Sequence, residues 1–212
     1  MKRLFACLLF LVAALPAVAA PLSDADKADV VRVEAYMNSV KTLSGRFLQL
    51  APDGQSSEGK FWLSRPGRLR FEYDPPVPVL VVGDGTFLIF RDNELNQTDR
   101  VPIGSTPIGV LVRENVKLSG DLTVDSVERQ KGILRVTVFD TVRPREGKLT
   151  MTFDDGTQLA LRQWRVLDAR GQSTNVSLSA VEVNQPVERR LFVYIDKTKE
   201  EIDRDNVMRG RK

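Results

Sequence analysis

The chain has 212 residues, 31 of them basic and 28 acidic, and no histidine. Its one cysteine, Cys7, lies in an amino-terminal stretch that reads as an export signal, so the remainder offers no histidine triad, no thiol nucleophile and no His- or Cys-ligated zinc. Without that stretch the count is 29 basic against 28 acidic, a formal +1, and the electrostatic footprint of a nucleic-acid binder is gone.

The signal reading rests on Lys2 and Arg3, the apolar run Leu4 to Leu15, and Ala17-Val18-Ala19 in the small-x-small pattern of a signal-peptidase site. Residues 1–19 are therefore predicted to be removed after Ala19, leaving residues 20–212 as one soluble domain. The run is too short to span a bilayer, and no later run of about 18 apolar residues follows. Leu4-Phe5-Ala6-Cys7 has the look of a lipoprotein box, but it precedes the apolar run, where such a box is not used.

Ser23-Asp24-Ala25-Asp26 predicts a helix start, a hydroxyl cap followed by acids in the first turn. Val30, Val33, Met37 and Val40 continue at helical spacing, with a stop expected near Ser44-Gly45. Such a helix is expected to plug one side of a sheet.

The period then changes to two, the signature of strands. Strands are predicted at Phe47 to Leu50, Lys60 to Ser64, Arg68 to Tyr73, Val79 to Val82, Thr86 to Phe90 and Leu95 to Asp99. Six more follow at Leu122 to Glu128, Ile133 to Phe139, Leu149 to Phe153, Leu159 to Leu167, Thr174 to Val183 and Leu191 to Ile195. Asp53-Gly54, Asp84-Gly85, Lys131-Gly132, Asp155-Gly156 and Arg170-Gly171 supply hairpin-length turns. The pattern predicts a meandering antiparallel sheet curled into a barrel or half barrel. Between the two strand sets, Ser105-Thr106-Pro107 and then Ile108, Val110, Leu111 and Val112 predict a short apolar helix over a concave face or an open end.

Around the turn Arg65-Pro66-Gly67 the alternation is clean. Leu69, Phe71 and Tyr73 share one face opposite Arg68, Arg70 and Glu72, and Phe61 and Leu63 share one opposite Lys60, Trp62 and Ser64. Core packing explains any one such strand. The whole set raises a question of cover: one long helix and one short one must shield the apolar face of a very large sheet. A barrel of more than about eight strands has an interior wider than side chains alone fill. The expectation is an apolar cavity.

Phe47-x-Gln49, Gly59-x-Phe61-Trp62-Leu63, Arg65-Pro66-Gly67-x-Leu69-Arg70-Phe71-x-Tyr73, Pro75, Val79 to Gly85, Phe90, Leu95-x-Gln97 and Thr106-Pro107, with similarity of layout only in the later strands, are the residues by which the chain resembles the LolA family of outer-membrane lipoprotein carrier proteins. The resemblance implies a mainly β (α+β) fold, an open antiparallel β-barrel of about eleven strands with helices covering its mouth, and a hydrophobic cavity for acyl chains. It also implies a periplasmic monomer that takes outer-membrane-directed lipoproteins from an inner-membrane lipoprotein-releasing ABC transporter and passes them to an outer-membrane, LolB-like acceptor, without catalysis, cofactor or metal. Under it, Arg65 hydrogen-bonds carbonyls of the lid and locks the empty mouth, Leu69 and Phe71 face the acyl chains with Phe47, Phe61 and Leu63 beside them, and Pro107, Ile108 and Leu111 belong to the lid helix. The alternative for Arg65 is a solvated turn arginine, and for Ile108 and Leu111 ordinary packing.

Three other readings compete. An outer-membrane barrel needs apolar outward faces and aromatic girdles, yet the chain has 15 aromatic residues and ends Arg-Gly-Arg-Lys. A periplasmic glycan hydrolase needs two carboxylates, for which Asp84 and Glu94 are candidates, but its hairpin turn already explains Asp84. A related module that binds a lipid or glycolipid is not separable from the carrier by sequence.

Overall fold

A computed structural model gives the structure of the chain, and its described residues are 21–195 and Met208. The expected export signal, with Cys7, and most of the charged tail lie outside them. The first element is helix α1, Asp24–Ser39. Its start is a capping box, in which Ser23 Oγ accepts from the Asp26 backbone N–H at 3.1 Å and the Asp26 carboxylate accepts from the Ser23 N–H at 3.0 Å. Val33 and Met37 are buried as the spacing predicts. The helix stops earlier than expected: Val40 is already extended, and Ser44 and Gly45 belong to the first strand. Pairing with strands on both sides outcompetes one more helical turn there.

Eleven strands follow: β1 Thr42–Leu50, β2 Ser56–Ser64, β3 Arg68–Tyr73, β4 Val79–Asp84, β5 Phe87–Asp92, β6 Gln97–Pro102, β7 Leu122–Gln130, β8 Ile133–Asp140, β9 Gly147–Asp155, β10 Leu159–Asp168 and β11 Ser173–Val183. They form one antiparallel sheet in the order β6-β5-β4-β3-β2-β1-β11-β10-β9-β8-β7. Two meanders are thus joined back to back through β1 and β11, and β6 and β7 are its free edges, so the sheet is open. The expected twelfth strand, Leu191 to Ile195, is not one: Arg189–Phe192 is a 3-10 helix lying over β3 and β4. β6 also begins two residues later than expected, because Leu95 sits in the β5–β6 turn and is exposed.

The sheet curls strongly about its centre. The Trp164 ring of β10 stands edge-on to Phe71 of β3 at 5.9 Å and to Phe61 of β2 at 6.5 Å, contacts that cross the strands β1 and β11 lying between them in sheet order. Gly59 makes room for this interior, since a Cβ there would lie 2.7 Å from the Phe47 ring. On the convex face a smaller apolar patch, Val82 and Ile89, is buried beneath the segment 189–195. That segment is held where Arg70 Nη1 donates to the Leu191 carbonyl at 2.9 Å and where Thr98 and Tyr194 share a hydroxyl hydrogen bond of 3.0 Å.

Candidate functional site: the concave face and its lids

Alternation places Leu63, Leu69, Phe47, Phe61 and Phe71 on the concave face, and all five are buried. They form a contiguous cluster: Phe71 is edge-on to Phe47 at 5.1 Å and stacked on Phe61 at 6.1 Å. Across the interior the cluster is completed by Trp164, Leu161, Met151 and Phe153 of the second meander. The sequence reading did not single these out. In β10 a register shift between Leu161 and Gln163 breaks the period of two, so Leu161 and Trp164, three residues apart, are both buried in that core. The tryptophan itself was the available signal.

Two covers close over this face. One is α1, which contributes Val33 and Met37. The other is the crossing between the meanders, where the expected short helix is two 3-10 turns, Ile103–Ser105 and Pro107–Val112. Pro107 takes the first helical position as expected, but the hydroxyls do not cap it: Ser105 Oγ donates back to the Pro102 carbonyl and Thr106 Oγ1 to that of Ile103, each at 2.7 Å. Gly109 explains the tight winding, because a Cβ there would stand 2.2 Å from the Ile103 oxygen. Val110, Leu111 and Val112 are buried, and Ile108 is partly buried against the same core.

The covers are stitched to one another and to the sheet. Asn38 exchanges two hydrogen bonds with Val116, and Glu34 accepts from the Leu118 N–H at 2.6 Å, so α1 and the crossing hold together. At its other end α1 is held by Arg129, which donates to Asp29 at 2.5 Å and Asp26 at 2.8 Å, and by Arg32 reaching Asp155 at 2.5 Å. The Tyr36 hydroxyl accepts from the Leu161 N–H at 2.9 Å. The crossing is tied to the Arg65-Pro66-Gly67 turn by the Gly67 N–H, which donates to the Val112 carbonyl at 2.7 Å. Gly67 is needed in two ways: its φ is +73°, and a Cβ would press within 2.7–3.0 Å of the Gly85 backbone.

Arg65 lies between these covers in an unusual state. Its Nη2 approaches the Met37 thioether at 4.0 Å, while Nε and Nη1 are buried without a hydrogen-bond partner. The lid carbonyl bonded by this turn is taken by Gly67 rather than by the guanidinium, to which the resemblance assigned lid carbonyls. Burial pulls the Arg65 pKa below the ordinary guanidinium value, to about 10, against a smaller opposing influence of Tyr36. The group therefore stays charged at neutral pH, in a place that penalises charge.

Among the described residues, the interior expected from barrel geometry to be unfilled is a packed cluster. Where it was expected, the chain's own aromatic rings and lid side chains pack together. A small cavity of about 20 Å³ lies at the seam between the 3-10 turns and the β8–β9 loop, lined among others by Val110, Leu122, Arg143 and Leu149. It has room for about one water molecule.

The sequence matches the family model described as outer membrane lipoprotein carrier protein LolA over residues 38–195. The chain belongs to the LolA family. The match spans both meanders, further than the motifs of residues 43 to 112 that carried the resemblance. Among curated relatives, the outer-membrane lipoprotein carrier protein of Azotobacter vinelandii is 30% identical, with 88% of this chain and 94% of that one covered. The carrier protein of the same description from Dechloromonas aromatica is also 30% identical, over 78% and 82%. A solved LolA superfamily protein from Nitrosomonas europaea is 9% identical, with a TM-score of 0.44 over 78% of this chain and 97% of that one.

Proposed function

We propose that this LolA family member is a periplasmic lipoprotein carrier, a binding protein rather than an enzyme, which shields the acyl chains of its cargo on the concave face. The observation that carries the reading is the closed, greasy concave face covered by two lids that are themselves joined. On this reading, acyl chains replace the lid side chains Met37, Leu111 and Val110 against Phe47, Phe61, Leu63, Leu69 and Phe71. Each methylene buried is worth roughly 0.8 kcal/mol, so a few chains bind tightly, while the lid contacts they displace offset part of the gain. That balance suits a protein that must both take and release.

Arg65 serves as the bistable element in this scheme. Its two unpartnered nitrogens disfavour the closed form, because a buried donor without an acceptor costs about 1–3 kcal/mol. Opening gives the guanidinium access to water, to lid carbonyls or to the cargo. The transporter that loads the carrier and the acceptor that empties it are, on this proposal, an inner-membrane lipoprotein-releasing ABC transporter and an outer-membrane, LolB-like protein. Native mass spectrometry of protein purified from its own cell envelope tests the proposal directly. Co-purified triacylated lipoprotein is the expected result, and a glycolipid or no lipid at all would overturn it.

A further inference from the structure

The register of the first meander places Phe61, Phe71, Val81, Phe90 and Asp99 in one row across β2 to β6. Residues in one row point to the same side of a sheet, so Phe90 shares the concave side with Phe71. The first three members are buried, yet Phe90 is 41% exposed. Beside it Tyr73 and Val79 are partly buried against the interior cluster. The Tyr73 ring is edge-on to Phe47 at 5.0 Å, and its hydroxyl donates to Gln49 Oε1 at 2.8 Å. The aromatic interior runs from Trp164 through Phe71 and Phe47 to Tyr73, and Phe90, next to buried Val81 on the same side of the sheet, faces water. The polar ties of both covers fall elsewhere, on Gly67, Thr86, Arg129, Asp155 and Leu161.

We infer that Tyr73, Val79 and Phe90 form the portal through which the hydrocarbon chain of a cargo lipid first reaches the concave face. The inference rests on the carrier reading above. Its occupant is a hydrocarbon tail rather than an anionic headgroup: the row ends beyond Phe90 at the exposed carboxylate of Asp99, and Asp92 pairs with Val79 in the same corner. Apolar ground flanked by carboxylates attracts methylenes and repels phosphate. A chain arriving here touches the buried cluster at its exposed end and advances beneath the lids, so the lid ties need not all break before first contact.

Stopped-flow uptake and release of a fluorescent dipalmitoyl lipopeptide test this, using the wild-type protein, Phe90→Lys, Phe90→Ala and the control Phe87→Lys, an exposed position on the convex side of the same strand. Phe90→Lys is expected to slow both uptake and release by about tenfold with little change in final occupancy. Phe90→Ala should fall between it and the wild type, and Phe87→Lys should match the wild type. Wild-type uptake rates in both Phe90 variants would overturn the portal while leaving the carrier reading standing. Failure of the wild type to take up the probe would overturn both.

Discussion

Arg65 illustrates how a single side chain can favour departure from the state in which it is seen. Replacing it with leucine removes two buried, unpartnered donors and a charge held in a desolvating site. Arg65→Leu is therefore expected to fold, to melt no lower than the wild type in a thermal scan, and to hand over acylated cargo more slowly. A clear fall in Tm would instead show the guanidinium holding the lid. The sign of its pH dependence follows from the depressed pKa: the penalty is in full force at every pH below about 10 and lifts only as pH rises from there toward the ordinary guanidinium value. Titration near neutrality thus leaves this contribution unchanged. Phe71 behaves differently, because its ring touches three others. Phe71→Ala should cost about 3–5 kcal/mol in urea denaturation. Phe71→Glu should cost more and abolish uptake of an acyl probe, since it buries a carboxylate without a partner. An unchanged denaturation midpoint would place that ring outside the core.

At the scale of elements, the two covers answer to different perturbations. The amino-terminal end of α1 is electrostatic: hydrogen bonds from Ser23 and then Arg129 hold the Asp26 carboxyl below its ordinary range. A depressed carboxylate pKa stabilises above the unfolded value and is lost as pH falls through the folded one, so this clasp should begin to weaken only as pH falls below the ordinary aspartate value. Thermal melts of wild type and Asp26→Asn should differ at pH 6, and the difference should narrow as pH falls below that value. The 3-10 crossing depends on backbone fit instead. Gly109→Ala drives a methyl into the Ile103 carbonyl, and faster amide hydrogen exchange is expected across residues 103–118 while the strands keep their protection. Equal exchange across that segment would show that the turn absorbs the methyl.

For the molecule as a whole, stability is divided between the two faces of one sheet. The segment 189–195 covers Val82 and Ile89 on the convex side, and it fastens β3, which carries Leu69 and Phe71 on the other. Phe192→Ala should lower the unfolding free energy by about 3–5 kcal/mol with acyl-probe binding retained by the protein that stays folded. Loss of binding at unchanged stability would mean that the strap is coupled to the concave site.

How much of this was legible beforehand follows from which forces are local. Alternation in 60–73 assigned Phe61, Leu63, Leu69 and Phe71 to one face, because a strand's side chains must point to opposite sides whatever lies around them. Ser23 and Asp26 announced the helix start, because a capping box closes within four residues. The stop of α1, the 3-10 form of the crossing and the fate of 191–195 were misread or missed. Each is decided by partners distant in sequence: β2 and β11 for the first, the Gly67 N–H and the Thr86 carbonyl for the second, the convex patch for the third.

By itself, then, the sequence determined eleven of the twelve strands it suggested, the apolar face and the absence of histidine and thiol chemistry from the chain after residue 19, all of which depend on residue identity and a period of two. Only the tertiary structure decided that the two meanders meet across the concave face through Trp164, that Arg65 is buried with unpartnered nitrogens, and that Phe90 is left facing water. These depend on curvature and on which lid lies where, and long-range packing sets both.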